Sequence, residues 1–249
     1  MTSIAIAGLG QIGGSLRLAI RKAYPSVRLF GADSSPAVRR LPPVDLLILA
    51  CPVPDILALL GEMPCWKRLP VMVTDVGSVK RPVVQAMARL PRAVSWIGGH
   101  PLAGSEKPTP RADLFRGATW VLTKEHRGNV SAVSRLVKAM GARPVTVDAG
   151  RHDRILARTS HLPYLVACAL VRSAVAEGIS PAELRLLSAG GWRDMTRLAL
   201  SNPAMAGGYV KANAAEVSQA LNALRRELTG FDMRKLRKSQ ALARHVRRP

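Results

Sequence analysis

A glycine-rich turn between two short patterned segments constrains the fold of this chain most. Residues 3–7 read Ser-Ile-Ala-Ile-Ala, the pattern of a buried strand, and an Ala-, Leu- and Arg-rich segment to about Lys22 predicts a helix. In such a turn the first glycine makes the bend, the second lets a pyrophosphate approach the backbone, and the third lets helix and strand pack closely. The helix N-terminus adds N–H groups and a dipole that favour phosphate. We therefore predict a Rossmann-type dinucleotide-binding domain whose turn binds the cofactor through Gly8, Leu9, Gly10, Gln11, Ile12 and Gly13.

An acidic residue follows the second predicted strand. The strand covers residues 27–32, and Asp33 comes 25 residues after Gly8, where a carboxylate accepts hydrogen bonds from the adenosine ribose. A carboxylate also repels a 2′-phosphate, so the pattern favours NAD over NADP, although Arg39 and Arg40 leave NADP as an alternative. The short, proline-containing connection to the next strand predicts a loop or a single turn.

The next two predicted strands, residues 45–50 and 71–74, are followed by small and polar residues. Ligands of open parallel sheets bind beyond the carboxyl ends of the strands, so we expect Cys51, Pro52, Asp75 and Ser78 to line the nicotinamide side. The alternative for Ser78 is that it only caps the helix that follows.

A histidine lies between small residues near the middle of the chain. A strand over 93–97 leads into Gly98-Gly99-His100-Pro101-Leu102-Ala103-Gly104, which predicts a loop that projects the imidazole for chemistry. An ordinary turn is the alternative. A strand over 117–123, a helix over 130–140 and a strand over 143–147 complete the alternating pattern. Near Asp148 the pattern becomes helical, so we place a domain boundary there, with residues 1–148 forming one domain and 149–249 the other.

The helical half opens with polar residues at helical spacing. Asp153, Ala157, Ser160, His161 and Tyr164 share one side of a predicted helix that Pro163 is expected to kink. Such a stripe lines a site or consists of satisfied core groups. An arginine in the segment 193–197 is a candidate clamp for a substrate carboxylate.

The net charge of +21, from 37 Lys and Arg against 16 Asp and Glu, indicates anionic partners. The charge is diffuse and few aromatic residues accompany it, so we predict no specific nucleic-acid binding. Three cysteines without CxxC spacing predict neither disulfides nor a metal site. Strand pattern begins at Ser3 and no long apolar run occurs, so we expect no leader peptide, no membrane association and a cytoplasmic location.

Five segments together resemble the prephenate and arogenate dehydrogenases of tyrosine biosynthesis. They are residues 8–15, 75–80, 99–106, 152–164 and 194–199. The resemblance implies an α/β Rossmann-type domain followed by an all-helical dimerisation domain, hence a homodimer. It also implies NAD-dependent oxidative decarboxylation of prephenate to 4-hydroxyphenylpyruvate in L-tyrosine biosynthesis. Arogenate dehydrogenase activity, which gives tyrosine directly, is the alternative.

The resemblance also implies roles for individual residues. His100, with Ser78 beside it, takes the proton of the ring hydroxyl. Arg197 binds a substrate carboxylate, Ser160, His161 and Tyr164 line the ring pocket, and Glu106 and Asp194 make ionic contacts around the entrance. Three features depart from the family pattern: Tyr164 replaces a frequent histidine, the loop after Asp33 is short, and residues 206–208 read Ala-Gly-Gly.

Two other function classes compete with this interpretation. A serine hydrolase built on Ser78 and His100 lacks the G-x-S-x-G turn that such enzymes use. A non-catalytic dinucleotide- or nucleic-acid-binding derivative has no need of His100, Ser78 and Arg197 together.

Overall fold

The first part of the chain forms a seven-stranded sheet and the second part is helical. The structure is a computed structural model that describes residues 1–104, 109–176, 178–229 and 232–246. The strands are β1 (Ser3–Ala7), β2 (Arg28–Ala32), β3 (Leu46–Leu49), β4 (Met72–Asp75), β5 (Ser95–Pro101), β6 (Thr119–Arg127) and β7 (Arg143–Val147). Their order in the sheet is β2-β1-β3-β4-β5-β6-β7, and all neighbours are parallel except β5 and β6.

The helices of the sheet domain cover its two faces. They are α1 (Gln11–Ala23), α2 (Ser35–Arg39), α3 (Val53–Glu62), α4 (Arg81–Met87) and α5 (Ser131–Ala139), and a 3₁₀ turn at Met63–Cys65 follows α3. Successive residues of a strand point to opposite faces. Accordingly Ala5 packs into the apolar cluster that includes α3 and α4, whereas Ile4 packs into the cluster that includes α1 and α5.

The helical part begins directly after β7. Its helices are α6 (Ala149–Leu156), α7 (Leu162–Ala176), α8 (Pro181–Leu187), α9 (Gly190–Thr196), α10 (Pro203–Ala212), α11 (Ala214–Leu228) and α12 (Met233–Val246), with a π-helical turn at Ala157–His161 and a 3₁₀ turn at Arg197–Leu200. The π turn lies just before Pro163, whose missing N–H and ring disfavour the regular hydrogen-bond pattern. The predicted irregularity at Pro163 therefore takes the form of a π turn.

The strand order reverses beside β1, because the chain passes from β2 on one edge of β1 to β3 on the other edge. β2 pairs with one edge of β1 and β3 with the other, so Ala7 lies between Ala32 and Leu49. In open α/β sheets this reversal of strand order opens a crevice at the carboxyl ends of the strands. The glycine-rich turn leaves β1 at this point.

The predicted strands are confirmed to within a few residues, and the connection after Asp33 contains the five-residue helix α2, close to the single turn predicted. The loop predicted around His100 is wrong. His100 lies inside β5, opposite Val121 of β6, with a register shift between Ile97 and Gly99. Two glycines let the strand continue here because a Cβ on Gly99 would lie 2.6 Å from the carbonyl oxygen of Asp75.

No single helix among the described residues is long and apolar enough to cross a membrane. One bent pair of helical segments, residues 149–176 with 181–187, has the length and apolar composition to do so.

Candidate active site

Two glycines of the glycine-rich turn are tightly packed, and a third is open to solvent. Gly8 has φ +96°, and a Cβ there would lie 2.6 Å from the carbonyl oxygen of Ala50 on the strand-end beyond β3. A Cβ on Gly13 would lie 1.8 Å from the carbonyl oxygen of Gly8. Gly10, in contrast, has nothing within 4 Å of its Cβ position. Two glycines thus bring α1 against the sheet, and the middle one leaves room for a ligand close to the backbone.

The start of α1 offers uncapped N–H groups next to an exposed carboxylate. The N-cap residue is Gly10, which has no side chain to cap the helix. Asp33 follows β2, is exposed, and accepts a hydrogen bond from the Leu9 backbone N–H through Oδ1. A diphosphate fits the helix end and a ribose fits the carboxylate. Arg39, the alternative ligand for a 2′-phosphate, pairs instead with Glu62 at 2.6 Å.

A buried ion pair lies at the strand ends predicted to line the nicotinamide side. Asp75 and Lys80 have fully buried side chains and pair with each other. Asp75 also accepts hydrogen bonds from the backbone N–H groups of Gly77 (2.8 Å) and Gly99 (3.0 Å), and Lys80 Nζ donates to the Gly99 carbonyl at 2.7 Å. Burial lowers the pKa of Lys80, and the charge of Asp75 opposes this. The pair therefore links the end of β4 to Gly99 within β5, and the Asp75 side chain is buried rather than open to a ligand.

The other predicted residues of this side are more accessible. Pro52 is exposed, and Cys51 and Ser78 are partly buried. Burial is the main cause that raises the pKa of Cys51 to about 11, so its thiol stays protonated. The N-cap of α4 is Lys80, without a side-chain cap, so Ser78 does not cap this helix. Its hydroxyl is therefore not committed to the alternative role considered from sequence.

His100 is held as a neutral imidazole. Its Nδ1 lies 2.9 Å from Nε2 of His152, and the two rings meet edge to face with centroids 5.1 Å apart. Burial lowers the pKa of His100 well below its usual value, and the neighbouring His152, Lys80 and His161 add to the effect. A general base must be unprotonated, and at neutral pH this imidazole is.

Behind His100 lies a second histidine that the sequence reasoning did not select. His152 is buried in α6, and its Nδ1 is 2.7 Å from Oδ1 of Asp153. Asp153 accepts hydrogen bonds from the backbone N–H groups of Lys80 (2.7 Å) and Arg81 (2.8 Å). The only local signal was the adjacent His-Asp pair, and its partner His100 is 52 residues away in sequence.

The polar stripe of the helical half is partly directed inward. Asn213 Nδ2 lies 3.2 Å from Nδ1 of the buried His161, and His161 stacks on Tyr209 with centroids 4.6 Å apart. Tyr164 meets Tyr209 edge to face at 6.4 Å. Burial is the main cause that lowers the pKa of His161 to about 4. Ser160, in contrast, is exposed.

The two remaining described candidates lie further along the chain. Asp194 in α9 and Arg197 at the start of the following 3₁₀ turn are both exposed, on elements that pack against α7. Glu106 lies outside the described residues. Among those that the structure describes, no three His, Cys, Asp or Glu side chains are grouped to hold a metal ion.

Two family profiles match consecutive parts of the chain. The profile described as "Prephenate dehydrogenase, nucleotide-binding domain" matches residues 18–146, and "Prephenate dehydrogenase, dimerization domain" matches residues 148–245. Together they cover most of the chain.

Relatives and solved structures agree with these profiles. The chain is 36% identical to a prephenate dehydrogenase of Bacillus subtilis over 82% of this chain and 62% of that protein. It is 31% identical to a cyclohexadienyl dehydrogenase of Zymomonas mobilis, over 80% and 77% of the two chains. A crystal structure of Aquifex aeolicus prephenate dehydrogenase, in complex with hydroxyphenyl propionate and NAD⁺, matches with TM-score 0.82 and 25% identity over 99% and 95%. The chain spans less than two thirds of the Bacillus protein.

Proposed function

The chain belongs to the prephenate dehydrogenase family, and from this premise we propose that it catalyses the NAD-dependent oxidative decarboxylation of prephenate to 4-hydroxyphenylpyruvate in tyrosine synthesis. The observation that carries the proposal is His100, whose neutral imidazole lies one residue before the end of β5. Because β5 runs parallel to β4, β3 and β1, its end lies at the same edge of the sheet as the open glycine turn that follows β1. A non-catalytic derivative would have no reason to keep this imidazole neutral and anchored.

The cofactor proposed is NAD. Its diphosphate would lie at Gly10 and the uncapped N-terminus of α1, and its adenosine ribose at Asp33. Cys51, Pro52 and Ser78 would line the nicotinamide side, above the buried Asp75. When bound, the nicotinamide accepts the hydride that leaves the ring carbon. Two observations favour NAD over NADP: Asp33 is exposed, and Arg39 is paired with Glu62.

The chain's own residues would handle the proton. His100 accepts the proton of the ring hydroxyl while hydride leaves the same carbon, and Ser78 hydrogen-bonds the hydroxyl oxygen. The carbonyl that forms then draws electrons from the ring carboxylate, so carbon dioxide leaves and the ring becomes aromatic. His100 returns its proton to the phenolate oxygen, and the base is regenerated without net proton release.

Substrate orientation would come from the helical half. We assign a carboxylate contact to Arg197, the ring pocket to Ser160, His161 and Tyr164, and ionic contacts at the entrance to Asp194 and Glu106. An arginine suits a carboxylate because its fork donates two parallel hydrogen bonds.

We further propose a cytoplasmic homodimer, with residues 1–148 as the nucleotide-binding unit and 149–249 as the substrate and dimerisation unit. Support comes from the dimerization-domain profile over residues 148–245 and from large apolar side chains that the single chain leaves exposed. We expect no membrane association and no specific nucleic-acid partner.

The test is turnover of the purified chain with prephenate and with arogenate, each with NAD and with NADP, with identification of the aromatic product. Formation of 4-hydroxyphenylpyruvate from prephenate and NAD supports the proposal. Preference for arogenate would replace the substrate assignment, as the similarity to a cyclohexadienyl dehydrogenase makes worth testing. No turnover in any of the four combinations would contradict the proposed activity.

A further inference from the structure

We propose that His152 and Asp153 are positioning residues that set the tautomer of His100, so that its Nε2 is the atom that accepts the substrate proton. The inference rests on the proposed function for its catalytic meaning. Its structural content, the position of one hydrogen on His100, does not.

Asp153 determines the position of the first hydrogen in this chain of contacts. Its Oδ1 accepts from the backbone N–H of Lys80 and its Oδ2 from the backbone N–H of Arg81. Both partners are donors only, and hydrogen bonds of this kind favour the ionised carboxylate. An ionised carboxylate has no hydrogen to donate. The 2.7 Å contact between Asp153 and His152 therefore requires that His152 carry its hydrogen on Nδ1.

The hydrogen on His152 decides the next contact. A neutral imidazole protonated at Nδ1 presents a lone pair at Nε2. This Nε2 lies 2.9 Å from Nδ1 of His100. With both rings neutral, the hydrogen in that contact belongs to His100 Nδ1, which donates to His152. His100 is then left with a lone pair on Nε2, the ring nitrogen that faces away from His152.

The same chain of contacts supports the charge that forms during reaction. Once Nε2 of His100 holds the substrate proton, the ring is a cation, and its Nδ1–H still donates to His152, which Asp153 supports in turn. A charge-assisted hydrogen bond is stronger than the neutral one it replaces. His152 and Asp153 thus stabilise the proton-bound state without touching the substrate.

A merely structural role is the competing explanation, because the contacts also join α6 to β5 and to the start of α4. Activity alone does not separate the two. Tautomer and pH dependence do, since the other groups that face His100, namely Lys80 and His161, stay in place in every variant below.

The experiment compares His152→Leu, which removes the acceptor, with His152→Gln, whose amide oxygen can take the place of Nε2. The exposed His126, on β6, provides a matched control as His126→Leu. With prephenate and NAD, we expect His152→Leu to lower kcat roughly 10- to 100-fold with KM within about twofold, and His152→Gln to recover most of the loss. In this scheme His152 is a neutral acceptor, so in His152→Leu the pH below which kcat falls should move lower, because the imidazolium of His100 loses an acceptor, and it should return in His152→Gln. A move to higher pH would mean that His152 acts on His100 as a positive charge, the effect that, after burial, lowers the pKa of His100, and would contradict the proposal.

A second measurement needs no substrate. Nitrogen-15 NMR of the imidazole rings in the full chain distinguishes protonation at Nδ1 from protonation at Nε2. We expect Nδ1–H for His100 in the wild-type protein and in His152→Gln, with a shift toward Nε2–H in His152→Leu. A hydrogen on Nε2 of wild-type His100 would overturn the inference. So would a folded His152→Leu variant whose kcat, and the pH below which kcat falls, are both unchanged. If the wild-type protein shows Nδ1–H but turns over neither prephenate nor arogenate, the proposed function fails and the assigned tautomer stands.

Discussion

The two halves of the molecule differ in where their apolar cores are completed. The sheet domain covers both faces with buried clusters built from strands and from α1, α3, α4 and α5. Among the described residues of the helical half, the buried cluster consists of four side chains: Ala157, Leu162, Val217 and Ala220. α8, α9 and α12 have no buried residue.

The helical half leaves large apolar side chains uncovered. Leu186 and Leu187 are each 81% exposed and Leu200 is 88% exposed, so one short segment leaves three large apolar side chains in solvent. Grouped apolar exposure of this kind is typical of an interaction surface. Asp194 and Arg197 lie between these leucines in sequence. His100, the proposed base, lies on a strand of the self-contained sheet and contacts the buried His152 of α6. The proposed carboxylate clamp, in contrast, lies on elements that a partner chain would have to cover.

The largest expected effect concerns assembly. Leu187→Glu and Leu200→Glu, made as separate variants, should each disrupt the proposed dimer. Each leucine buried at the interface contributes about 2 kcal/mol of binding free energy, and a twofold interface contains the substituted residue twice. A loss of about 4 kcal/mol per variant raises the dimer Kd roughly a thousandfold. Sedimentation over a range of concentrations measures it, with Leu18→Glu in the sheet domain as the control. A wild-type chain that stays monomeric at every concentration would contradict the proposal that a partner chain covers the helical half.

Loss of the base comes next. His100→Asn keeps a polar side chain in β5 but removes the proton acceptor, so kcat should fall about 100-fold or more with little change in KM. Steady-state kinetics with prephenate and NAD checks this, and His126→Asn is the matched histidine control. Because the sheet domain has its own core, the variant should unfold at nearly the wild-type temperature. A wild-type kcat with chemistry rate-limiting would remove His100 from the mechanism.

The sheet domain was largely predictable from local sequence because its signals are local. Residues 3–7 form β1, and Gly8 has the positive φ that its place in the turn requires. The error at His100 has a physical reason. Two successive glycines usually indicate a turn, but here the missing Cβ of Gly99 lets β5 pass close to Asp75, and that of Gly98 leaves room for Thr123 of β6. Such a close approach depends on a neighbouring strand that local reasoning does not see.

The interior of the site was less predictable for the same reason. The spacing of Asp153 and His161 indicated an inward side of the helix, and both are buried. His152 lies on a different turn position, and its significance comes from His100, a partner brought close only by the fold. Lys80 was similarly overlooked, because a lysine is expected at the surface and this one is buried by its pairing with Asp75.

Acid should destabilise the helical half through His161. Its pKa is about 4 in the folded chain against an ordinary value near 6.5, so the unfolded chain binds a proton first as the pH falls. The contribution is fully present above about pH 6.5 and is lost as the pH falls toward 4, in total about 3 kcal/mol.

Urea unfolding of wild type and His161→Gln at pH 7 and pH 4.5, at one protein concentration, measures this loss. The variant should lose about 2 kcal/mol less than the wild type between the two pH values. His100 shifts in the same direction but is present in both proteins. An equal loss in the two would mean that His161 is not kept neutral by burial.

A smaller effect is expected at the clamp. Arg197→Ala should raise KM for prephenate roughly 30-fold, about 2 kcal/mol, the lower end of the range for breaking a charge pair because Arg197 is exposed in the single chain. Arg193→Ala, on the preceding turn of α9, is the matched control. If a partner chain covers the elements that carry Arg197, the KM of the wild type should also rise when the protein is diluted below its dimer Kd. A kcat effect without a KM effect would reassign Arg197 from binding to chemistry.

The smallest effect lies wholly within the sheet domain. Asp33→Asn keeps an acceptor for the Leu9 N–H but removes the negative charge, so the preference for NAD over NADP should narrow about tenfold, or about 1.4 kcal/mol. The ratio of kcat/KM for the two cofactors measures it, with Glu227→Gln in α11 as a charge-matched control. The change should be the same at every protein concentration, because Asp33 and the glycine turn belong to the half that completes its own core. A wild-type preference for NADP would contradict the assignment and point to Arg40, since Arg39 is held by Glu62.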